Sequence, residues 1–350
     1  MATTRHCPDC GQPPVPSLNR RQFVQASAVA ATAVTASGLA LPAHAADSTK
    51  PQSEQLVQQL YKSLTPEQRA KICFNWDHQD KRGLLRTHVS NNWNITDVDT
   101  TNVGGSFFTA DQRDLIEAVF FGLYNPDWHE KLRQQLRDDA GGYGQKQTIA
   151  IFGEPGSGKW EFVMTGRHLT IRCDGDSAEH VAFGGPIFYG HAAKGFNEAA
   201  DHPGNVYWHQ ALKANKLFEM LDGKQREQAL ISDAPYESEV AFRGPDAKPG
   251  IRIADLSADQ KENAQGVLKT LLEPYRVSDQ DQALKCLDAQ GGLDKCSLAF
   301  YREDDIGADG VWDIWRIEGP SFVWHYRGAP HVHVWVNISD DPSVATNAVG

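Results

Sequence analysis

The sequence predicts an α+β fold, an antiparallel sheet of hairpins with helices packed on one side. Three observations carry this. Helix-start signatures fall in the front of the chain and before residue 300. Runs rich in β-branched and aromatic residues fall at 147–190 and 297–338. Those runs are broken by Gly/Pro turns rather than by helical stretches, and segregation of this kind argues against alternating βαβ units.

Three stretches, LTPEQRA at 64–70, FTADQRD at 108–114 and LSADQKE at 256–262, place Thr or Ser three residues before Gln, with an apolar residue just ahead. This is the capping box with its hydrophobic staple, in which the hydroxyl and the Gln amide satisfy orphan backbone groups reciprocally. Helices are predicted over Thr65 to Phe74, Thr109 to Leu123 and Ser257 to Glu273. The last carries Ala264, Val267, Leu268, Leu271 and Leu272 at helical spacing. Further helices are predicted over Ser53–Ser63, Trp128–Asp138, Asn205–Asp222 and Asp279–Asp288. The unequal intervals between the three starts argue against a solenoid.

The stretch GEPGSGKW, Gly153 to Trp160, has Gly153, Gly158 and Lys159 in register with a phosphate-binding loop, but Trp160 stands where a hydroxyl should bind magnesium. Such a loop must open a helix whose N-terminal amides face the anion. Here WEFVMTGRHLTIRC follows, a strand pattern, so the stretch reads as a β-turn with Lys159 solvated and no nucleotide site. VWDIWRIEGPSFVWHYRGAPHVHVWVN near the C-terminus repeats the strand–turn–strand grammar.

The first 45 residues read as a removable twin-arginine export signal: Arg20-Arg21, a weakly apolar run from Val24 to Leu41, then Ala43-His44-Ala45. The expected organisation is 1–45 signal and 46–350 a single α+β domain, delivered by the twin-arginine export machinery to a periplasmic or secreted location. No later segment has the ~18 consecutive apolar residues of a membrane span, so no stable membrane anchor is expected. Cys7 and Cys10 lie ahead of the cleavage site.

The chain holds 34 Lys+Arg against 45 Asp+Glu, and without residues 1–45 the counts become 31 and 44. A protein this acidic repels phosphate backbones, so nucleic acid is not expected as a partner. Cys286 and Cys296 either close a small disulfide loop or stay, with Cys73 and Cys173, as thiols.

The candidate chemistry is a metal site. His331 and His333 in HVHVWVN are two residues apart on a predicted strand, so both imidazoles point the same way. Neutral imidazole suits zinc, copper or iron. His168 in GRHL is the third candidate ligand, with His191 and Glu318 as additions. Against this stands the plain alternative that His331 and His333 lie on a solvated sheet face or hydrogen-bond neighbouring groups. His202 and His209 in DHPGNVYWHQ read as capping or packing residues. The competing function is a non-catalytic binding module for a small-molecule ligand. Its aromatic cleft would be drawn from Trp160, Trp208, Trp312, Trp315, Trp324 and Trp335, although core packing explains most of these equally well.

In order, LTPEQRA, FTADQRD, IFGEPGSGKWEFVMTGRHL, GGPIFYG, LFEMLDGKQREQAL, IEGPSFVW and HVHVWVN run from about Leu56 to Val336. This series resembles the bacterial family catalogued as domain of unknown function 3500. The resemblance implies export and a single domain, and it brings no defined reaction. One departure is that the family's GHHL reads GRHL here. His168 matches the second histidine, and Arg167 replaces the first. Arg167 thereby becomes the candidate for orienting an anionic substrate, since a guanidinium binds carboxylate through a bidentate fork. The catalytic residues and the reaction are not identified at this level.

Overall fold

The computed structural model describes residues 52–192, 201–244, 248–303, 305 and 311–348. Residues 1–51, with the expected signal and its Arg20 and Arg21, lie outside the described residues. Among those described, no helix is long and apolar enough to cross a membrane.

The helices form where the caps place them. α1 spans Ser53–Ser63 and α2 Pro66–Ile72, the latter opened by a Thr65/Gln68 capping box. A short α3 at Val98–Thr101 precedes α4 at Ala110–Gly122, which starts on a Thr109/Gln112 box. α5 covers His129–Ala140 and stops at Gly141, whose left-handed φ of 77° a glycine adopts without a Cβ penalty. α6 at Trp208–Met220 lies within the predicted Asn205–Asp222, and after a two-residue break α7 spans Gly223–Ala229, beyond the predicted end. The break is an unforeseen capping box of Asp222 and Gln225, which opens α7 just beyond the end of α6. α8 spans Ala258–Leu272 behind the Ser257/Gln260 box, and α9 spans Val277–Ala289.

The strands are β1 Cys73–Phe74, β2 Gln79–Asp80, β3 Gly83–Leu84, β4 Thr148–Gly153, β5 Trp160–Gly166, β6 Leu169–Cys173, β7 Ile187–His191, β8 Leu230–Ile231, β9 Ile251–Arg252, β10 Ser297–Tyr301, β11 Ile314–Glu318, β12 Phe322–Arg327 and β13 Val332–Ile338. Eleven of them form one sheet in the order β1-β4-β5-β6-β7-β13-β12-β11-β10-β8, with β9 also on β10. The expected antiparallel sheet of hairpins needs correction. The sheet is mixed, because β1 joins β4 in parallel and β8 joins β10 in parallel. These two-residue strands follow directly on α2 and α7, so the chain enters the sheet from a helix, and no tight turn dictates their direction. GEPGSGKW closes the β4–β5 hairpin, Gly153 pairing with Trp160, and Lys159 meets Glu179 at 3.0 Å on the exposed side.

Read from either end, this sheet presents the same series of pairings. Residues 53–191 supply two helices, a short strand, further helices and then the meander β4–β7. Residues 208–338 supply α6, α7, β8, α8, α9 and the meander β10–β13. In the first half the capping glutamines Gln68 and Gln112 bond each other at 2.8 Å, and in the second Gln225 and Gln260 do so at 2.7 Å. The repeated helix starts are therefore signs of a twofold internal repeat. Each half carries two of them, which is why the intervals looked irregular.

Alternation along the strands divides the sheet into two faces. Ile149, Ile151, Phe162, Met164, Ile171, Tyr189, Val334, Trp324, Trp315 and Phe300 share one apolar cluster with Val57, Leu60, Ile116, Leu132, Leu217, Val267 and Leu271 of the helices. The alternate residues, including Phe188, Trp335 and Val163, pack under residues of non-helical segments, among them Val89, Ile95, Val240 and Ala348. Several charged side chains are buried on this second face: Glu161, Arg172, Arg316 and His333 are all at most 2% exposed. Glu161 is held by Arg86 at 2.7 Å and Arg172 at 3.3 Å. The four described cysteines are free thiols, three of them buried. Burial pushes the thiol of Cys286 up to about 11 and that of Cys296 up to about 12.

Candidate metal centre

The two halves meet where β7 pairs antiparallel with β13, and the histidines gather at that seam. His333 lies on the second face of β13, opposite Gly190 of β7 and beside Arg327 of β12. His331 precedes it by two residues and shares its side. His168 comes from the other half. Gly166 pairs with Leu169, so Arg167 and His168 form a two-residue hairpin turn, and His168 sits there at φ 50°. Left-handed backbone is costly for a residue with a Cβ. What it achieves here is to aim the ring back across the sheet.

The three imidazoles converge. His168 Nε2 is 3.1 Å from His333 Nε2, and His331 Nε2 is 2.9 Å from the same atom. One nitrogen from each ring lies within 4.8 Å of the other two, and all three residues are buried. For comparison, two ligands on a tetrahedral zinc at ~2.0–2.1 Å stand about 3.3 Å apart.

The outward nitrogens meet carboxylates. His168 Nδ1 donates to Asp139 Oδ2 at 2.7 Å, and His333 Nδ1 donates to Glu237 Oε1 at 2.9 Å. Asp139 stands near the C-terminus of α5 and also accepts from Arg167 Nε at 2.9 Å and from the Ala192 amide at 3.2 Å. Glu237 meets Arg327 Nη1 at 3.2 Å. Burial acts to raise the Asp139 carboxyl, but His168 and Arg167 outweigh it and hold its pKa below the ordinary value. Burial, then Arg327, His168 and Arg167, hold His333 well below the usual imidazole range, so its ring is neutral.

Tautomers follow from these bonds. An ionised carboxylate can only accept, so Nδ1 of His168 and of His333 carries the proton, and each Nε2 of a neutral ring presents a lone pair. Where both rings are neutral, two lone pairs face each other at 3.1 Å, a repulsion that a cation held between them, metal ion or proton, removes. The carboxylate–imidazole pairs are also the arrangement by which metal-ligating histidines are oriented and made more basic.

The other predicted residues are placed elsewhere. His191 pairs with Val332 and faces the helical layer, so it is not part of the cluster. Glu318 lies two strands from β13 and meets Arg243 at 3.2 Å. His202 Nδ1 accepts from the Gly204 amide, and His209 packs at 5.6 Å from Trp128. Arg167 is at the rim, 35% exposed, with its Nε committed to Asp139. Trp160, Trp315, Trp324 and Trp335 are core residues, and Trp208 and Trp312 pack against the core. The sequence reading missed Asp139, Glu237 and Arg327. Only Arg327 left a trace, since its strand parity matches that of the H-x-H segment in a predicted hairpin.

Gly190 gives the His168 ring its room. A Cβ there would lie 3.2 Å from the ring and 2.3 Å from the Val332 carbonyl oxygen. Gly190→Ala is expected to push β7 from β13 and to displace His168, costing about 1–3 kcal/mol as overpacking does. Denaturant unfolding measures the loss, and an unchanged midpoint would show that the seam yields freely.

Fold and site together define an α+β protein of two repeated halves with a histidine cluster at their junction. The chain belongs to the family described as "Protein of unknown function (DUF3500)", which matches residues 46–336. No curated protein and no solved structure matches the chain.

Proposed function

We propose that this is an exported, periplasmic or secreted enzyme that works through one transition-metal ion, zinc, copper or iron, held by His168, His331 and His333. The observation that supports it most is the convergence of one nitrogen from each of the three buried rings to within 4.8 Å, with Nδ1 of His168 and of His333 held on a carboxylate. Three imidazole ligands leave a coordination position open, which is the pattern of catalytic rather than structural zinc. Such an ion supplies Lewis acidity and activates a bound water or substrate oxygen. Asp139 and Glu237 fix the tautomers and ring orientations. Arg167, at the rim, orients an anionic substrate on its way in. The twin-arginine signature fits export of a chain that is already folded and loaded.

Elemental analysis of protein produced without a His tag tests the reading. About one equivalent of zinc, copper or iron per chain is expected. A chain that is metal-free as isolated, and that takes up none of the three on incubation, refutes it.

A further inference from the structure

Resting on that metal-site reading, we infer that the fourth position takes a small carboxylate-type anion bound directly to the metal, with Arg327 as its hydrogen-bond donor. Charge is the first ground. Among the described residues, the groups around the three rings are Asp139 and Glu237, both anionic, and Arg167 and Arg327, both cationic. The charges of these four groups cancel, and imidazole binds a metal ion only in its neutral form, so the described carboxylates leave a divalent ion here uncompensated in a buried setting. Uncompensated buried charge is expensive. An anion in the open position relieves it, and a neutral ligand does not.

The second ground is an unused donor. Arg327 is 13% exposed and pairs in register with His333. Its Nη1 meets Glu237, and its Nη2 stands 3.5 Å from both His331 Nε2 and the His331 carbonyl oxygen. Its Nε is buried and, among the described residues, donates to no acceptor. A buried N–H without a partner costs stability unless something occupies it. A guanidinium with an N–H to spare beside a cation fits a planar carboxylate, which offers one oxygen to the metal and the other to the arginine. Asp139 holds Arg167 through Nε, and its exposure places it further out, where it meets the anion before Arg327 does.

The test uses the full chain loaded with cobalt(II), whose visible absorption reports the ligand set. Acetate and bicarbonate are titrated separately into wild type, Arg327→Lys and Arg327→Gln. Saturable spectral change with at least one of the two anions is expected. The lysine variant keeps the charge but loses the fork, and is expected to bind the anion roughly 10-fold more weakly while retaining cobalt. The glutamine variant is expected to bind it more weakly still. A cobalt spectrum in wild type that neither anion alters overturns the inference and leaves the metal site standing. Equal anion affinity in wild type and both variants overturns the role of Arg327. Absence of any cobalt spectrum in wild type overturns the inference together with the metal reading.

Discussion

His333→Ala is expected to abolish stoichiometric metal retention, lowering affinity on the order of 100-fold or more. His333 is the centre of the cluster: its Nε2 is the atom that both His168 and His331 approach, at 3.1 and 2.9 Å. Its removal leaves two imidazoles on opposite sides of the seam with nothing between them, and frees Glu237 from its ring. Asp139→Asn makes a graded comparison. It keeps all three ligands but leaves one neutral amide oxygen to serve His168, Arg167 and the Ala192 amide, where the carboxylate offered two charged ones, and losses of about 10–100-fold are usual for such partners. Both variants are read by metal analysis and by thermal shift. Binding to the folded state alone stabilises by about 2.7 kcal/mol at a ligand concentration 100 times Kd. Added zinc should therefore raise the melting temperature of wild type and leave that of His333→Ala unmoved. An identical metal-dependent shift in the two proteins would remove His333 from the site.

Glu161→Ala is expected to destabilise the protein by about 3–5 kcal/mol, the usual consequence of removing one partner from a buried ion pair. Glu161 and Arg172 are fully buried, and Arg86 nearly so. Arg172 also donates to the backbone carbonyls of Arg86, His88 and Pro186. The bonds to Arg86 and His88 fasten the 3-10 turn Leu85–Thr87 and the residue after it across the second face of the sheet. Arg86 stacks on Trp76 at 4.0 Å, which extends the same fastening. Without Glu161 two buried guanidinium groups keep only the more remote Asp174 as a counter-charge among the described residues. Glu161→Gln keeps the volume and can still accept hydrogen bonds, so it should lose less than the alanine variant. The denaturant midpoint measures both, and equal losses would show that packing rather than charge decides the effect. Glu161 stands at the other end of β5 from the turn that carries His168, roughly 17 Å along the strand, so metal content should survive in whatever fraction stays folded.

Much of the fold was legible because its signals are local. Thr65, Thr109 and Ser257 each announced a helix through a reciprocal bond spanning three residues, and the structure starts α2, α4 and α8 there. The β4–β5 hairpin was legible for the same reason, since Trp160 opens a strand and not a helix. The twofold repeat was not. Its fourth start uses Asp222 instead of Ser or Thr, and matching sheet positions preserve shape rather than residue type. The parallel pairings of β1 and β8 were not legible either. Two residues carry no readable period, and their partners are more than sixty residues away.

The histidine cluster divides along the same line. The sequence by itself determined that His331 and His333 share a face, because strand alternation is a property of the local backbone. It also offered His168 as a third member, from a turn in the opposite half of the chain. Only the tertiary structure decided which groups surround those rings. Asp139 on α5, Glu237 in an irregular segment and Arg327 on β12 reach the rings through the packing of two halves about the β7–β13 seam. Hydrogen bonds between such remote residues depend on distances in space, and no spacing along the chain encodes them.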